Sequence, residues 1–253
     1  MLNPLKIRWH QGHQTIPNVR TAAVDAKFPG LPVLNDDLLA EDAAALQNLC
    51  PTKAISIDPL RIDLGKCIFC GDCERFCKNG AIRFSNEYKL ASTSRQQLIV
   101  DRRTSADTYR KSAIRVREEI KRLFGKSLKL RSVSAGGCNT CEMELNACGN
   151  VNFDMGRFGI EIVASPRHAD GIVITGPISE NMAQPLEDAY RATPDPKIVI
   201  LAGSCAISGG IFAHSPTLKR EFLQKYPVDL FVPGCPFHPL TFINGVLDFL
   251  GRK

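Results

Sequence analysis

The chain of 253 residues has none of the patterns that mark a secreted or membrane-spanning protein. Its N-terminal segment contains no apolar stretch and no small-residue cleavage site, so we predict no secretory signal. Its longest apolar runs, such as Gly171–Thr175 and Ile198–Ala202, are far shorter than the roughly 20 residues that cross a bilayer. We therefore expect a cytoplasmic protein whose contact with a membrane comes only through its partners.

Motifs for a bound coenzyme are missing as well. The sequence contains no G-x-G-x-x-G dinucleotide loop and no flavin motif. Between Arg102 and Arg131, eleven Lys/Arg residues stand against three acids, but aromatic residues are not interleaved with them, so nucleic-acid binding is not expected. We interpret this basic stretch either as a solvated helix face or as a docking surface for a partner or anionic lipid.

Repeats and hydrophobic periodicity divide the chain into three parts. Residues 1–100 are interpreted as an extended arm and an α+β ferredoxin-like domain, because Cys50–Ile55 recurs as Cys77–Ile82 and each copy precedes a β-prone stretch. Residues 101–127 are expected to form a basic, amphipathic connector with one helix over residues 105–124. Residues 128–253 alternate short β-branched segments with helix-length ones, which predicts an α/β flavodoxin-like domain with a parallel sheet.

The elements of this last domain can be placed from the pattern. The predicted strands are Leu128–Ser132, Gly159–Val163, Gly171–Thr175, Lys197–Ala202 and Val228–Val232. The predicted helices lie near residues 142–148, 180–191, 216–226 and 239–250.

The N-terminal part contains a C-x2-C-x2-C-x3-C run, formed by Cys67, Cys70, Cys73 and Cys77. This spacing is the signature of a 4Fe-4S site, because the tight run lets one loop wrap three corners of a cubane. Thiolates suit the iron of such a cluster since they are soft, charged ligands. Zinc sites usually pair C-x2-C groups that lie farther apart, so zinc is the weaker interpretation.

The run does not by itself decide the fourth ligand of this cluster. In two-cluster ferredoxins the last Cys of each run serves the other cluster, and the repeat makes Cys50 the counterpart of Cys77. Positions 40, 43 and 46, where the partners of Cys50 would stand, hold Ala, Ala and Leu, so one ancestral cluster is lost. We predict Cys50, Cys67, Cys70 and Cys73 as ligands, and Cys77 in place of Cys50 is the open alternative.

Four further cysteines follow predicted strands of the α/β domain. Cys138 and Cys141 follow the first strand, Cys205 the fourth and Cys235 the fifth. In a parallel sheet these strand ends meet at one edge, so we expect the four thiols to converge on a second cluster. Gly and Pro residues beside each Cys would let the backbone pass close to a bulky group. Cys77 and Cys148 remain unassigned.

Both halves resemble known families. Residues 11–90 resemble the cytoplasmic ferredoxin subunit of formate-hydrogenlyase-type and related complexes, over residues 12–17, 28–32, 65–71 and 87–91, although the first cysteine run of that family is missing. From Leu128 onward, the chain resembles the small-subunit family that links nickel-iron hydrogenases to the 20 kDa subunit of complex I. The matching stretches are Gly136–Glu142, Arg157–Ile160, Ser165–Asp170, Pro194–Lys197, Ser208–Phe212 and Pro233–Pro236.

The second resemblance implies a role for its four cysteines. In that family Cys138, Cys141, Cys205 and Cys235 would hold the proximal cluster, beside the active site of a large subunit. Complex I has two adjacent cysteines at the first position, whereas this chain has C-x2-C, as the hydrogenase branch does. The implied protein is the electron-transfer small subunit of a membrane-associated nickel-iron hydrogenase complex, with two 4Fe-4S clusters and no catalysis of its own.

The implied partners are a nickel-iron large subunit, a further iron–sulfur or donor subunit, and membrane subunits that would hold the chain peripherally on the cytoplasmic membrane. Nickel-iron centres need two separated C-x2-C pairs, and the C-x2-C groups here are already used by the two clusters. Two other functions stay open. One is the equivalent subunit of a hydrogenase-related or quinone-reducing complex I-like oxidoreductase, and the other is a zinc-dependent binding module.

Overall fold

The computed structural model of the chain describes residues 3–35, 40–116 and 118–252. Residues 36–39 of the predicted repeat and Arg117 of the predicted connector lie outside the described residues. The first part of the chain contains short elements only. They are α1 (Asn3–Gln11), β1 (Pro32–Leu34), α2 (Ala40–Leu49), β2 (Ile55–Ser56), β3 (Arg61–Asp63), α3 (Asp72–Phe76), β4 (Ile82–Phe84) and β5 (Ile99–Asp101).

The strands of this part form two small antiparallel sheets, which confirms the α+β class. One sheet pairs β1 with β4, and the other has the order β2-β3-β5. Helix α2 ends at Leu49, one residue before Cys50, because the proline that follows Cys50 disfavours helical geometry at the residue before it. The arm that we expected to be extended begins with the helix α1, which buries none of its side chains.

The connector is two helices, so the single helix expected over residues 105–124 is wrong. They are α4 (Ala106–Ala113) and α5 (Glu118–Phe124). Ile114 between them is extended, and the backbone there bonds to Thr93, whose N–H donates to Ala113 O and whose Oγ1 accepts from Arg115 N. These bonds replace the helical ones that would have joined the two segments.

The connector's apolar stripe is covered only in part by its own chain, since Val116 and Leu123 are 40% and 44% exposed. Tyr109 and Ile120 are buried, and the Tyr109 hydroxyl donates a hydrogen bond to Leu90 O at 2.7 Å. The basic side chains lie on the outside, with Lys111 and Arg122 exposed. A partner could therefore meet both the charged face and these two exposed apolar side chains.

The second part of the chain is a five-stranded sheet with helices on it. Its elements are β6 (Leu128–Ser134), α6 (Thr140–Cys148), β7 (Ile160–Ile162), β8 (Gly171–Thr175), α7 (Glu180–Ala192), β9 (Ile198–Ala202), α8 (Ser204–Ser208), α9 (Phe222–Lys225), β10 (Leu230–Val232) and α10 (Pro239–Phe249). All five predicted strands are confirmed, whereas the helix expected near residues 216–226 is reduced to the four residues of α9.

The sheet has the order β10-β9-β8-β6-β7, and every neighbouring pair is parallel. Counted from β6, this is the 2-1-3-4-5 order of flavodoxin-like folds, with a switch point between β6 and β8. Strands β8 and β9 are buried at every position, as expected for central strands covered on both faces. The predicted α/β parallel-sheet class is confirmed.

The two parts of the chain share their hydrophobic cores. On one side of the sheet, Ile62 of β3 and Leu98, just before β5, pack in one cluster with Ile174 and Leu201. In a second cluster, Val19 and Tyr88 of the first part pack with residues of β9, β10 and α10. Backbone bonds in both directions also join Ser92 to Phe231 of the edge strand β10. The first part is therefore held directly against the sheet.

Within the described residues, no helix is both long and apolar enough to pass through a bilayer.

Candidate iron–sulfur sites

Four thiols of the first part line one cavity. They belong to Cys50, Cys67, Cys70 and Cys73, and the rest of the lining is mainly apolar. Cys50 follows α2, Cys67 lies in the turn after β3, and Cys73 lies in α3. Segments distant in sequence thus bring the four thiols to one space, and the donor set suits a metal that prefers thiolates.

Backbone N–H groups in this region point at sulfur. Ala54 N donates to Cys50 Sγ at 3.2 Å, and Phe69 N donates to Cys67 Sγ at 3.3 Å. The backbone of this loop is unusual, because Phe69 has a positive φ of 55° and Gly71 has a positive φ of 75°. Hydrogen bonds to cluster sulfurs are among the features that set the potential of an iron–sulfur centre.

Burial favours the protonated form of two thiols of this set, Cys67 and Cys73. Burial raises the pKa of Cys73 to about 12, and the nearby Cys70 and Cys50 add to the rise. Burial also raises the pKa of Cys67, and Cys73, Cys50 and Cys70 contribute in the same direction. These thiols therefore lie close enough that, once ionised, their charges would repel. A bound metal would remove this repulsion by neutralising the thiolates.

Cys77, the open alternative, is not among the residues that line the cavity. It is 4% exposed and belongs to the core cluster that includes Ala81 and Ile82. Its backbone N–H donates to Cys73 O and closes α3. The structure thus brings Cys50 into the four-thiol cavity and leaves the Cys77 side chain in the core.

The second set of thiols gathers at the carboxyl edge of the parallel sheet. Cys138 lies in the loop after β6, Cys141 in the first turn of α6, Cys205 in α8 after β9, and Cys235 in the loop after β10. The loop after β6 leaves the sheet at the switch point, where ligands of such folds are bound.

The charges of these four thiols act on one another. Burial raises the pKa of Cys141 to about 12, with further contributions from Glu142, Cys205 and Cys235. Burial raises the pKa of Cys205 to about 11, and Cys235 and Cys138 add to it. The hydroxyl of Thr140 acts oppositely, because its hydrogen bond lowers the pKa of the exposed Cys138. All four thiols are therefore neighbours at one site.

Two glycines make room for these sulfurs. A Cβ on Gly203 would lie 2.6 Å from Cys141 Sγ, and a Cβ on Gly210 would lie 2.8 Å from Cys205 Sγ. Both glycines have positive φ, at 97° and 55°. The backbone thus approaches the thiols at a distance that any side chain would prevent, as a site for a bulky cluster requires.

The rim of the second site is open and partly apolar. Cys138 and Cys235 are exposed. Met143, two residues after Cys141, is 62% exposed, and Ile211, in the 3-10 turn after α8, is 60% exposed.

Ser204 joins the two sites. It is 1% exposed, and its Oγ lies 2.6 Å from Cys67 O and 3.1 Å from Gly234 O. Cys67 belongs to the first set of thiols, whereas Ser204 and Gly234 are the immediate neighbours of Cys205 and Cys235 in the second. Sequence reasoning missed this serine, because nothing in the local pattern indicates that its hydroxyl meets a loop 137 residues away.

Cys148 takes no part in either site. It is fully buried between α6 and α10, where its Sγ lies 3.9 Å from Pro239 O. In the described part of the chain, no three His, Cys, Asp or Glu side chains surround a position for one metal ion.

Two family models match parts of this chain. The model of the family described as NADH ubiquinone oxidoreductase, 20 Kd subunit, matches residues 138–249, and that of the 4Fe-4S binding domain matches residues 60–83. A probable membrane-bound hydrogenase subunit of Pyrococcus furiosus is 40% identical over 126 residues, which cover 50% of this chain and 75% of that protein.

Two further similarities were found. Formate hydrogenlyase subunit 7 of Escherichia coli is 41% identical over 126 residues, which cover 50% of this chain and 49% of that protein. A chain of the membrane-bound sulfane sulfur reductase, an archaeal respiratory membrane complex, superposes with a TM-score of 0.43 at 32% identity, over 50% of this chain and 70% of that one.

Proposed function

Because the chain belongs to the family of the 20 kDa subunit of NADH ubiquinone oxidoreductase and carries a 4Fe-4S binding domain, we propose that it serves a membrane-associated nickel-iron hydrogenase complex. It is an electron-transfer subunit of a complex I-related hydrogenase or oxidoreductase complex. In our proposal, electrons pass through two 4Fe-4S clusters to or from the active site of a large subunit, with the chain lying peripherally on the membrane assembly.

The observation that carries this proposal is the bridge between the two thiol sets. The hydrogen bond from Ser204 to Cys67 O connects the two sites through one buried contact at 2.6 Å. Electron transfer needs cofactors that are close and rigidly held. The shared cores and the Ser92–Phe231 backbone pairing supply that rigidity.

We assign four ligands to each cluster. Cys50, Cys67, Cys70 and Cys73 would hold the first, and Cys138, Cys141, Cys205 and Cys235 the second. Each cluster supplies one-electron chemistry when bound, and its potential depends on net charge, on hydrogen bonds to sulfur and on solvent exposure.

The large subunit would cover the open rim of the second site. Met143, Ile211 and the exposed Cys235 lie on that rim, so a docked subunit would exclude water from the cluster and bring its own metal site close. The further donor subunit would meet the first site, where Cys70 is exposed.

The hydrogenase branch is favoured by the C-x2-C spacing of Cys138 and Cys141 and by the similarity to the two hydrogenase subunits. The second candidate is a quinone-reducing member of the same family, since an NADH-quinone oxidoreductase subunit of Bacteroides thetaiotaomicron is 43% identical over 114 residues. The large subunit distinguishes the two, because only a hydrogenase large subunit carries two C-x2-C pairs.

The test is metal analysis of the full chain purified without oxygen. Two cubanes require about eight iron atoms and about eight sulfides per chain. Hydrogen should reduce both clusters when the chain is co-purified with its large subunit, as followed by electron paramagnetic resonance (EPR). A content of about four iron atoms would contradict the cluster count, and a colourless protein with zinc would mean a binding module.

A further inference from the structure

Arg220 is a partly buried cation whose two terminal nitrogens, Nη1 and Nη2, each donate hydrogen bonds to two backbone carbonyls. Its Nη1 donates to Pro177 O at 2.8 Å and to Cys205 O at 3.2 Å. Its Nη2 donates to Ala206 O at 2.8 Å and to Ile207 O at 3.0 Å. The guanidinium therefore ties the loop after β8 to the helix α8, which carries Cys205.

No carboxylate accompanies this cation within the part of the chain that the structure describes. The partly buried Arg95 and Arg20 have one, in the Arg95–Asp63 pair at 2.6 Å and the Arg20–Asp248 pair at 2.5 Å, whereas Arg252, like Arg220, donates to backbone carbonyls. Removing a guanidinium from water without a counter-charge is unfavourable, and neutral carbonyls compensate for only part of the loss. Burial accordingly lowers the pKa of Arg220, and the charge of Cys205 opposes this effect.

The missing counter-charge is available at the second thiol set. Cys205 is one of its members, and the Cys205 carbonyl lies directly on the guanidinium. A 4Fe-4S cluster with four thiolates carries a double negative charge when oxidised and a triple one when reduced. The cation is therefore positioned where it gains most from a cluster, and more from the reduced form.

We propose that Arg220 is the counter-ion of the cluster held by Cys138, Cys141, Cys205 and Cys235, and that its charge raises the reduction potential of that cluster. The inference rests on the proposed function, since it needs the second cluster. Reduction adds one electron, supplied by the first cluster or by the centre of the large subunit, and Arg220 itself takes up no proton. Arg220 stays charged in both states and stabilises the more negative one.

A second role of Arg220 must be separated from this one. The carbonyls of residues 205–207 belong to the last turn of α8, where helices need donors from outside. Arg220 could matter only as a cap for this turn. Two substitutions distinguish the roles, because Lys keeps the charge without the planar fork and Gln keeps two N–H donors without the charge.

The experiment is a potentiometric titration of the full chain, with each cluster followed by EPR. We expect Arg220→Gln to shift the second cluster to a more negative potential, whereas Arg220→Lys leaves it near the wild-type value. Lys219→Gln removes the same charge one residue away and serves as the matched control, with a smaller shift expected. The first cluster provides an internal reference whose potential should not change.

Several results would overturn the inference. One is an unchanged potential in an Arg220→Gln chain that keeps its full iron content. Another is an equal negative shift with Gln and Lys, which would assign Arg220 to the cap alone. If the Gln chain fails to assemble the second cluster, assembly in the Lys chain still supports the charge role, and failure in both overturns it. A wild-type chain without a second cluster would refute the proposed function instead, and this inference with it.

Discussion

The choice between Cys50 and Cys77 as the fourth ligand of the first cluster leads to a pair of opposite mutational outcomes. Cys50→Ala should remove the first cluster, because it deletes one of the four thiols that line the cavity. The iron content should fall from about eight to about four atoms per chain. Cys77→Ala should keep the full iron content, because its side chain lies in the core outside that cavity.

The structure also indicates how much stability the Cys77→Ala chain should lose. Cys77 is 4% exposed, so truncation to Ala removes one buried sulfur and leaves a small void, at a cost of about 1–2 kcal/mol. This is well below the roughly 5–15 kcal/mol that stabilises a typical domain, so the variant should fold. Alanine is a better substitution here than serine. A serine hydroxyl in this core would add the free-energy cost of burying a polar group without a hydrogen-bond partner.

The assay combines iron and sulfide analysis with the EPR spectrum of the dithionite-reduced full chain. Cys148→Ala is the matched control, because it truncates the other fully buried cysteine in the second part of the chain. Circular dichroism would verify that each variant is folded. A folded Cys77→Ala chain that loses the first cluster, beside a Cys50→Ala chain that keeps it, would refute the four-thiol assignment.

Three other predictions concern the bridge, the core and the basic surface. Ser204→Ala should lower the free energy of unfolding by about 1–3 kcal/mol, because Cys67 O loses its donor, and it should slow electron transfer between the clusters in freeze-quench EPR. Ser208→Ala, one turn along α8, is the control, and an unchanged rate for Ser204→Ala would argue against the bridge. Tyr109→Phe should reduce stability in urea by about 1–3 kcal/mol through the loss of its bond to Leu90 O. Burial raises the pKa of Tyr109, so its contribution is present below about pH 10 and lost as the pH rises above it, and the Phe variant should lack that alkaline dependence. Reversing Arg115, Lys121 and Arg122 to Glu should weaken co-purification with the partner subunits, most at low salt, and unchanged assembly would mark this face as merely solvated.

Much of the architecture was predictable because it depends on local patterns. The β-branched runs of β8 and β9 indicate central strands, and alternation with helices indicates a parallel sheet. The sheet order then follows from the handedness and adjacency that govern such folds, and it brings four strand-end cysteines to one edge. Periodicity failed at the connector, because it does not show contacts with residues outside the segment. Thr93 forms hydrogen bonds with the backbone of Ala113 and Arg115, where the predicted helix would have continued.

The sequence by itself determined which side chains we propose as iron ligands. Cysteine spacing within one loop, a duplicated segment and thiols after strand ends are all local or periodic signals, so ligand chemistry can be read from them. Tertiary structure alone decided what surrounds those thiols. Ser204 and Arg220 carry no local signal, because the carbonyl of Cys67 and that of Pro177 reach them only after distant segments have folded together. Hydrogen bonds from side chains to remote backbone carbonyls arise from packing, as do buried charges without a nearby counter-charge. The order of residues along the chain does not show how distant segments pack.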